Sequence, residues 1–262
     1  RIAEAAPAPA LNWDLEDPYH YVRTSRPDDG STLLIVGGED HKVGQDDHAE
    51  RRWTQLERWL RAHFPMAQEP ELRWSGQVLE PNDGAGFIGR NPGDQNVYIA
   101  TGFSGNGMTY SAIAALLIVD LIEELHNPWW EAYDPERKPL APRAALDFAR
   151  ENLNVAARYA DWLSSGDVGS LEGIPRGQGA IVRRGLHKLA EDVDDDGRAH
   201  SRNAKCPHLG CVVAWNGAEK SWDCPCHGSR FDRYGRLLVG PALKDLEPAP
   251  ERVQAPSAQA QR

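Results

Sequence analysis

CPHLGC at residues 206–211 and CPCHGS at residues 224–229 hold all four cysteines of this 262-residue chain, with a histidine in each segment. Thiolates and imidazoles crowded into two short loops are metal donors. If each loop supplies one sulfur and one nitrogen, the first gives Cys206 and His208 in a C-x-H spacing, and the second gives Cys224 and His227 in a C-x-x-H spacing. Cys211 and Cys226 are then left over. Structural zinc and a purely disulfide framework stay open on spacing alone. Zinc gives the extra cysteines no use, and a disulfide framework leaves the histidines unexplained.

Working outward, the texture from Gly166 onward is short strand-like pieces, GAIVRRG (179–185), HKLAEDV (187–193), VVAWN (212–216) and RLLVG (236–240), separated by Gly, Asp and Asn turns. That pattern predicts a small antiparallel β domain. The acidic run EDVDDDG (191–197) reads as a hairpin turn in solvent.

The donor set and its neighbours resemble the Rieske two-iron two-sulfur (2Fe-2S) proteins. The resemblance implies that Cys206 and Cys224 hold one iron and His208 and His227 the other, the neutral imidazoles raising the reduction potential. CPHLGC and CPCHGS are similar to the paired-cysteine form found in respiratory and photosynthetic cytochrome complexes, which implies a disulfide between Cys211 and Cys226. In the same family Leu209 would flank the cluster, Ser229 would donate its hydroxyl to a cluster sulfide, and Gly240 and Pro241 of GPAL (240–243) would cover it. Phe231 stands where high-potential members carry a tyrosine donor. The lost hydrogen bond predicts a potential below theirs, within the broad Rieske range of about -150 to +300 mV.

The front of the chain alternates extended runs with turns. YHYVRTS (19–25), TLLIVGG (32–38), ELRWSGQVL (71–79) and NVYIATG (96–102) read as strands. Glu50–Phe64 places Trp53, Leu56, Leu60 and Phe64 at helical spacing, predicting a helix laid on a sheet. A second helix, from about Met108 to Leu125, is apolar on nearly every face and is expected to be buried. After the proline-rich stretch 127–142, Leu146, Ala149, Leu153, Ala156, Ala160 and Leu163 form one stripe of a connector helix expected to pack against its neighbours. Trp129 and Trp130 read as packing residues between domains.

Between a strand and an apolar helix lies ATGFSGNGMTYS (100–111). Glycines there admit a ligand to the backbone, and the helix start offers free N–H groups. Residues 73–122 are similar to the closing segment of the FAD-dependent amine and D-amino-acid oxidase family, with the resemblance extending over roughly residues 11–135. By that resemblance Gly102, Phe103, Ser104, Gly105, Asn106, Gly107 and Met108 would line the flavin, with Arg90 and Asp83 as polar neighbours. The strand, Gly-rich turn and helix that grip the ADP pyrophosphate in that family are not found here, so the native polypeptide is expected to continue upstream. Asp40, His41, Asp46, Asp47 and His48 could suggest a two-histidine-one-carboxylate iron site, but the spacing favours a polar loop.

The net charge of -10 with dispersed basic residues argues against nucleic acid and anionic lipid as partners. The longest apolar run, Ile113–Ile122, is broken by Asp120 and too short to span a bilayer. No secretory signal opens the chain, and a cytoplasmic location is expected.

The expected fold is α+β: a partial FAD-oxidoreductase substrate and flavin-edge region, a mixed sheet with helices, followed by a small antiparallel-β Rieske domain. The divisions are 1–136 for the oxidoreductase portion, 137–165 for a helical connector, 166–250 for the Rieske domain and 251–262 for a loose tail. The expected function is one-electron transfer between a 2Fe-2S cluster and FAD, with a small amine-like substrate and a separate redox partner. The competing expectation is a non-enzymatic electron-transfer module with a vestigial flavin site.

Overall fold

The computed structural model describes residues 10–46, 48–138 and 142–250. The expected tail at 251–262 lies outside them, as does Asp47. In chain order the elements are strands β1 (Leu11–Trp13), β2 (His20–Ser25) and β3 (Leu33–Gly38), helix α1 (Ala49–His63), strands β4 (Phe87–Arg90) and β5 (Tyr98–Thr101), and helices α2 (Gly107–Ile122), α3 (Trp130–Tyr133) and α4 (Pro142–Arg158). A 3-10 turn at Tyr159–Leu163 leads into β6 (Gln178–Arg184), β7 (His187–Val193), β8 (Ala199–Asn203), β9 (Ala214–Asn216), β10 (Ser221–Asp223), β11 (Arg230–Asp232) and β12 (Leu237–Val239). The chain divides into two compact units, one holding the residues up to Arg73 together with those from Val155 onward, the other Trp74–Asn154.

In the first unit β1, β2 and β3 form an antiparallel sheet with β2 in the middle. Helix α1 lies beside β3, and its Trp59 stacks between the rings of His20 and His63 at 4.5 and 4.4 Å. The helix is amphipathic as its spacing predicts, with Trp53, Leu56 and Leu60 half-buried. Glu50 in the first turn and Arg61 and His63 in the last complement its dipole.

The rest of this unit is two small antiparallel sheets, β6-β7-β8 and β12-β11-β10-β9. Their core is built on a cross-strand pair: Trp222 of β10 sits opposite Phe231 of β11, both without solvent exposure, and Trp215 meets Trp222 edge-on at 4.8 Å. The four cysteines belong to the same core. The run EDVDDDG does turn the β7–β8 hairpin, and its tip, Asp195–Gly197, is exposed, but Glu191, Asp192 and Asp194 are buried. Charge partners make this tolerable, since Arg184 reaches Glu191 at 2.9 Å, Arg233 reaches Asp192 at 2.9 Å, and Asp194 accepts from the Arg198 N–H and meets His200.

In the second unit β4 and β5 form a hairpin, and α2 lays Ala114 and Leu117 on Ile88 of β4. Arg137 ties the approach to β4 by bonding both oxygens of Asp83, at 2.7 and 2.8 Å, and the carbonyls of Ala85 and Gly86. That guanidinium holds the Asp83 carboxyl below its usual range.

Four expectations fail. Residues 71–79 join no sheet, because no strand among the described residues pairs with them; Leu72, Trp74, Val78 and Leu79 are exposed. Helix α2 is buried on one face only: Met108, Leu116, Val119 and Ile122 are exposed. The connector buries the wrong stripe, since Leu146, Leu153 and Leu163 face outward while Ala144 is buried and Val155 and Trp162 pack on the cysteine core. Hydrogen bonds from Arg158, Tyr159 and Trp162 fix that choice of face, and an apolar stripe carries no such directional bonds. Trp129 and Trp130 are exposed rather than packed away.

Candidate metal centre

The first cysteine loop joins β8 to β9 and the second joins β10 to β11, and the two repeat one backbone design. In each, the N–H of the first cysteine bonds the carbonyl of the sixth residue, Cys206 to Cys211 and Cys224 to Ser229, both at 2.8 Å. In each, the glycine N–H returns to the first cysteine's carbonyl, Gly210 to Cys206 and Gly228 to Cys224, both at 3.0 Å. Gly210 and Gly228 adopt φ of 84° and 76°, a region that side chains other than glycine rarely enter. The loops are joined by a disulfide between Cys211 and Cys226, whose Cα atoms are 6.4 Å apart.

Cys206 and Cys224 remain free thiols and are buried. Their sulfurs share a hydrogen bond, which together with the N–H groups of His208 and Leu209 and the Ser229 hydroxyl holds Cys206 well below the ordinary thiol range. The shared hydrogen bond and then burial push Cys224 up. His208 and His227 stand across from each other with ring centroids 4.8 Å apart and planes at 90°. Burial, and then the neighbouring His208, holds His227 below its usual range, so its imidazole is the neutral, ligating form.

These residues fit an asymmetric metal group. Among the described residues, His208 Nδ1 is a buried nitrogen with no hydrogen-bond partner, an arrangement that a coordinate bond would satisfy. Two buried thiols and two facing imidazoles, one of each from each loop, match the donors of a Rieske 2Fe-2S cluster. The sulfurs of Cys211, Cys224 and Cys226 also lie within 4.8 Å of one another, but the disulfide consumes two of the three.

Ser229 is fully buried, accepts the Ala242 N–H at 2.9 Å and donates to the Cys206 sulfur, so it links the residue after Gly240–Pro241 to the first cysteine loop. Phe231 packs beside the site and offers no donor. Leu209 is exposed at the tip of the first loop. Sequence reasoning missed Tyr159 and Trp162, whose hydroxyl and indole N–H bond the carbonyls of Leu209 and Gly210 at 2.7 and 2.9 Å. Nothing in the spacing of a connector helix signals that it caps a loop some fifty residues further on.

The glycine loop in the second unit is open. Gly105 and Gly107 have free space where a Cβ would stand, Met108 is exposed, and Phe103 stacks on Tyr110 at 4.8 Å. Ser104 and Asn106 stay local, the first through its N–H to Leu79 and the second through its side chain to Ser104. Gly102 takes φ of 75° and lies against Pro81, where no side chain would fit. Arg90 is not brought to this loop. The β4–β5 register pairs Phe87 with Thr101 at the loop end and Arg90 with Tyr98 at the other, roughly 10 Å along the strand. Asp83 is committed to Arg137. Of the polar loop at 37–48, Asp46 is paired with Arg52 rather than poised with the histidines as a ligand set.

Residues 166–250 match the family described as the Rieske (2Fe-2S) domain, and residues 1–121 match the family described as FAD dependent oxidoreductase (DAO). The Bacillus subtilis (strain 168) protein YhfW, named as a Rieske 2Fe-2S iron-sulfur protein, is 36% identical over 220 residues, covering 83% of this chain and 43% of its own length. The cytochrome b6-f complex iron-sulfur subunit of Trichodesmium erythraeum (strain IMS101) is 40% identical over 83 residues, 32% of this chain and 42% of that protein. The plasma membrane Rieske protein PetC3 of Synechocystis PCC 6803 aligns at 31% identity over 26% of this chain and 71% of its own, with a TM-score of 0.25. The chain therefore spans less than half the length of the two curated relatives.

Proposed function

We propose, from the match of residues 166–250 to the Rieske 2Fe-2S domain family and of residues 1–121 to the FAD dependent oxidoreductases, that the protein passes electrons one at a time between a flavin and a 2Fe-2S cluster. The observation that carries this reading is the pairing, in one chain, of the buried Cys206 and Cys224 and the half-buried, facing His208 and His227 with a glycine loop at an open helix start. A bound cluster supplies one-electron chemistry, and a bound flavin supplies two-electron chemistry with an amine-like substrate, so the fusion converts one into the other.

The chain's own residues do the holding. Cys206 and Cys224 would bind one iron and His208 and His227 the other, with Ser229 donating to the sulfur end and the disulfide fixing the distance between the loops. Phe231, by lacking a donor, would keep the potential below that of relatives with a tyrosine there. The exposed Leu116, Val119 and Ile122 of α2 support a flavin-binding half that covers this face in the native polypeptide. No helix among the described residues is long and apolar enough to cross a membrane.

Gel filtration of the native polypeptide tests the flavin assignment. FAD is expected to co-elute with the iron, and anaerobic addition of an oxidisable amine should bleach the flavin and then the cluster. A polypeptide that elutes with iron but without FAD contradicts the flavin half of the proposal.

A further inference from the structure

Gly44 and Gln45, at the end of the polar segment Gly37–Asp46, lie against the second cysteine loop within the same compact unit. Gly44 adopts φ of +67°, and a Cβ there would stand 2.7 Å from the Pro225 nitrogen, 2.9 Å from the Asp223 oxygen and 3.0 Å from the Cys224 carbonyl carbon. Only a glycine lets the two backbones approach this closely.

The next residue uses the approach. The Gln45 side-chain amide donates to the Pro225 carbonyl at 2.7 Å, and its own oxygen accepts from the Arg158 guanidinium at 3.3 Å. These two bonds fix which end of the amide faces which partner, because a guanidinium only donates and a carbonyl only accepts. The Pro225 carbonyl and the Cys226 N–H belong to one peptide unit, and that N–H bonds the Cys224 sulfur, as does the N–H of His227.

A continuous row therefore runs from guanidinium to amide to peptide to ligand sulfur. A hydrogen bond accepted at a peptide carbonyl polarises the unit and strengthens the bond its N–H donates. Hydrogen bonds to a ligating sulfur favour the reduced, more negative cluster. The loop that presents Gln45 is held by a second set of bonds: Asp46 to Arg52 at 2.7 Å, Arg52 to Glu39 at 3.5 Å, and Glu39 to the buried His20 at 3.3 Å.

We propose that Gln45, oriented by Arg158, is a positioning residue for the metal centre, tuning the reduction potential through the Pro225–Cys226 peptide and the Cys224 sulfur. The segment matching the FAD dependent oxidoreductases thus helps to set the electronic properties of the Rieske site. This rests on the cluster assignment above.

The test is an EPR-monitored redox titration of the cluster-loaded chain and its variants. Gln45→Leu removes the donor at similar size and should move the midpoint potential negative. Gln45→Glu, which replaces the donor with an anion, should move it further in the same direction, and Arg158→Met should give a smaller negative shift by releasing the amide. A merely structural contact would change stability and leave the potential alone. An unmoved potential in Gln45→Leu, with the wild-type spectrum retained, overturns the proposal. If that variant loads too little iron to titrate, the Cys226 amide of the iron-free chain decides: faster hydrogen exchange than in wild type supports the relay, and unchanged exchange overturns it. A wild-type chain without the iron-sulfur spectrum would instead sink the cluster assignment.

Discussion

Replacing Arg233 with methionine is expected to destabilise the Rieske domain by about 3–5 kcal/mol, the usual consequence of stranding one member of a buried ion pair. Asp192 is 1% exposed and depends on this partner. Two nitrogens of Arg233 reach the same carboxylate oxygen at 2.9 Å, and among the described residues the other oxygen has no partner. Burial, opposed by Arg233, already raises the Asp192 pKa above its ordinary value.

The sign of the pH dependence follows. A carboxyl whose folded pKa lies above its unfolded one takes up more protons in the native state, so its contribution to stability falls as pH rises from the unfolded value through the folded one. Without Arg233 the folded value climbs higher, and the deficit of the variant should shrink as pH falls from neutral towards about 5. Chemical denaturation at both conditions checks this. An equal deficit at the two would show that Asp192 is not the stranded charge. Arg233→Lys, which keeps the charge but loses the fork, should recover part of the loss.

The second large effect concerns the disulfide. Serine at both 211 and 226 removes a cross-link closing a separation of 15 residues, which is worth about 3 kcal/mol through the unfolded chain. The two loops would then be joined through shared core packing, the hydrogen bonds of the Cys206 sulfur with Cys224 and Ser229, and a cluster when one is bound. The iron-free variant should denature at lower denaturant, and the loaded variant should release iron faster to a chelator. Wild-type behaviour in both measurements would mean that the disulfide is not what fixes the loop spacing.

That two cysteines and two histidines meet was legible because they sit in two short segments of sequence, each of which folds by local rules: a six-residue loop closed by its own backbone and turned at Gly210 or Gly228. Strands such as β2, β3, β6 and β7 were legible for the same reason, since alternation and flanking turns are local. What could not be read depends on which surfaces meet. The spacing of Leu146 and Leu153 marks an apolar stripe, but the helix turns instead on Arg158, Tyr159 and Trp162, whose partners Gln45, Leu209 and Gly210 are distant in sequence. The apolar character of α2 says that it could be buried all round, and only Ala114 and Leu117 meet enough neighbours in this chain. The run at 71–79 has strand composition without a strand to pair with among the described residues. The acids of 191–194 look solvated until Arg184, Arg233 and His200 are seen to converge on them. Gln45 and Pro225, 180 residues apart, share no pattern that a sequence could display.

Pulsed EPR on the dithionite-reduced chain, purified without oxygen, tests the central claim most directly. Two nitrogen hyperfine couplings are expected, each removed when His208 or His227 is replaced singly by serine, from a coloured protein containing iron and acid-labile sulfide in equal amounts. A colourless, zinc-bearing protein, or an iron-sulfur signal without nitrogen couplings, would contradict the assignment of these four residues.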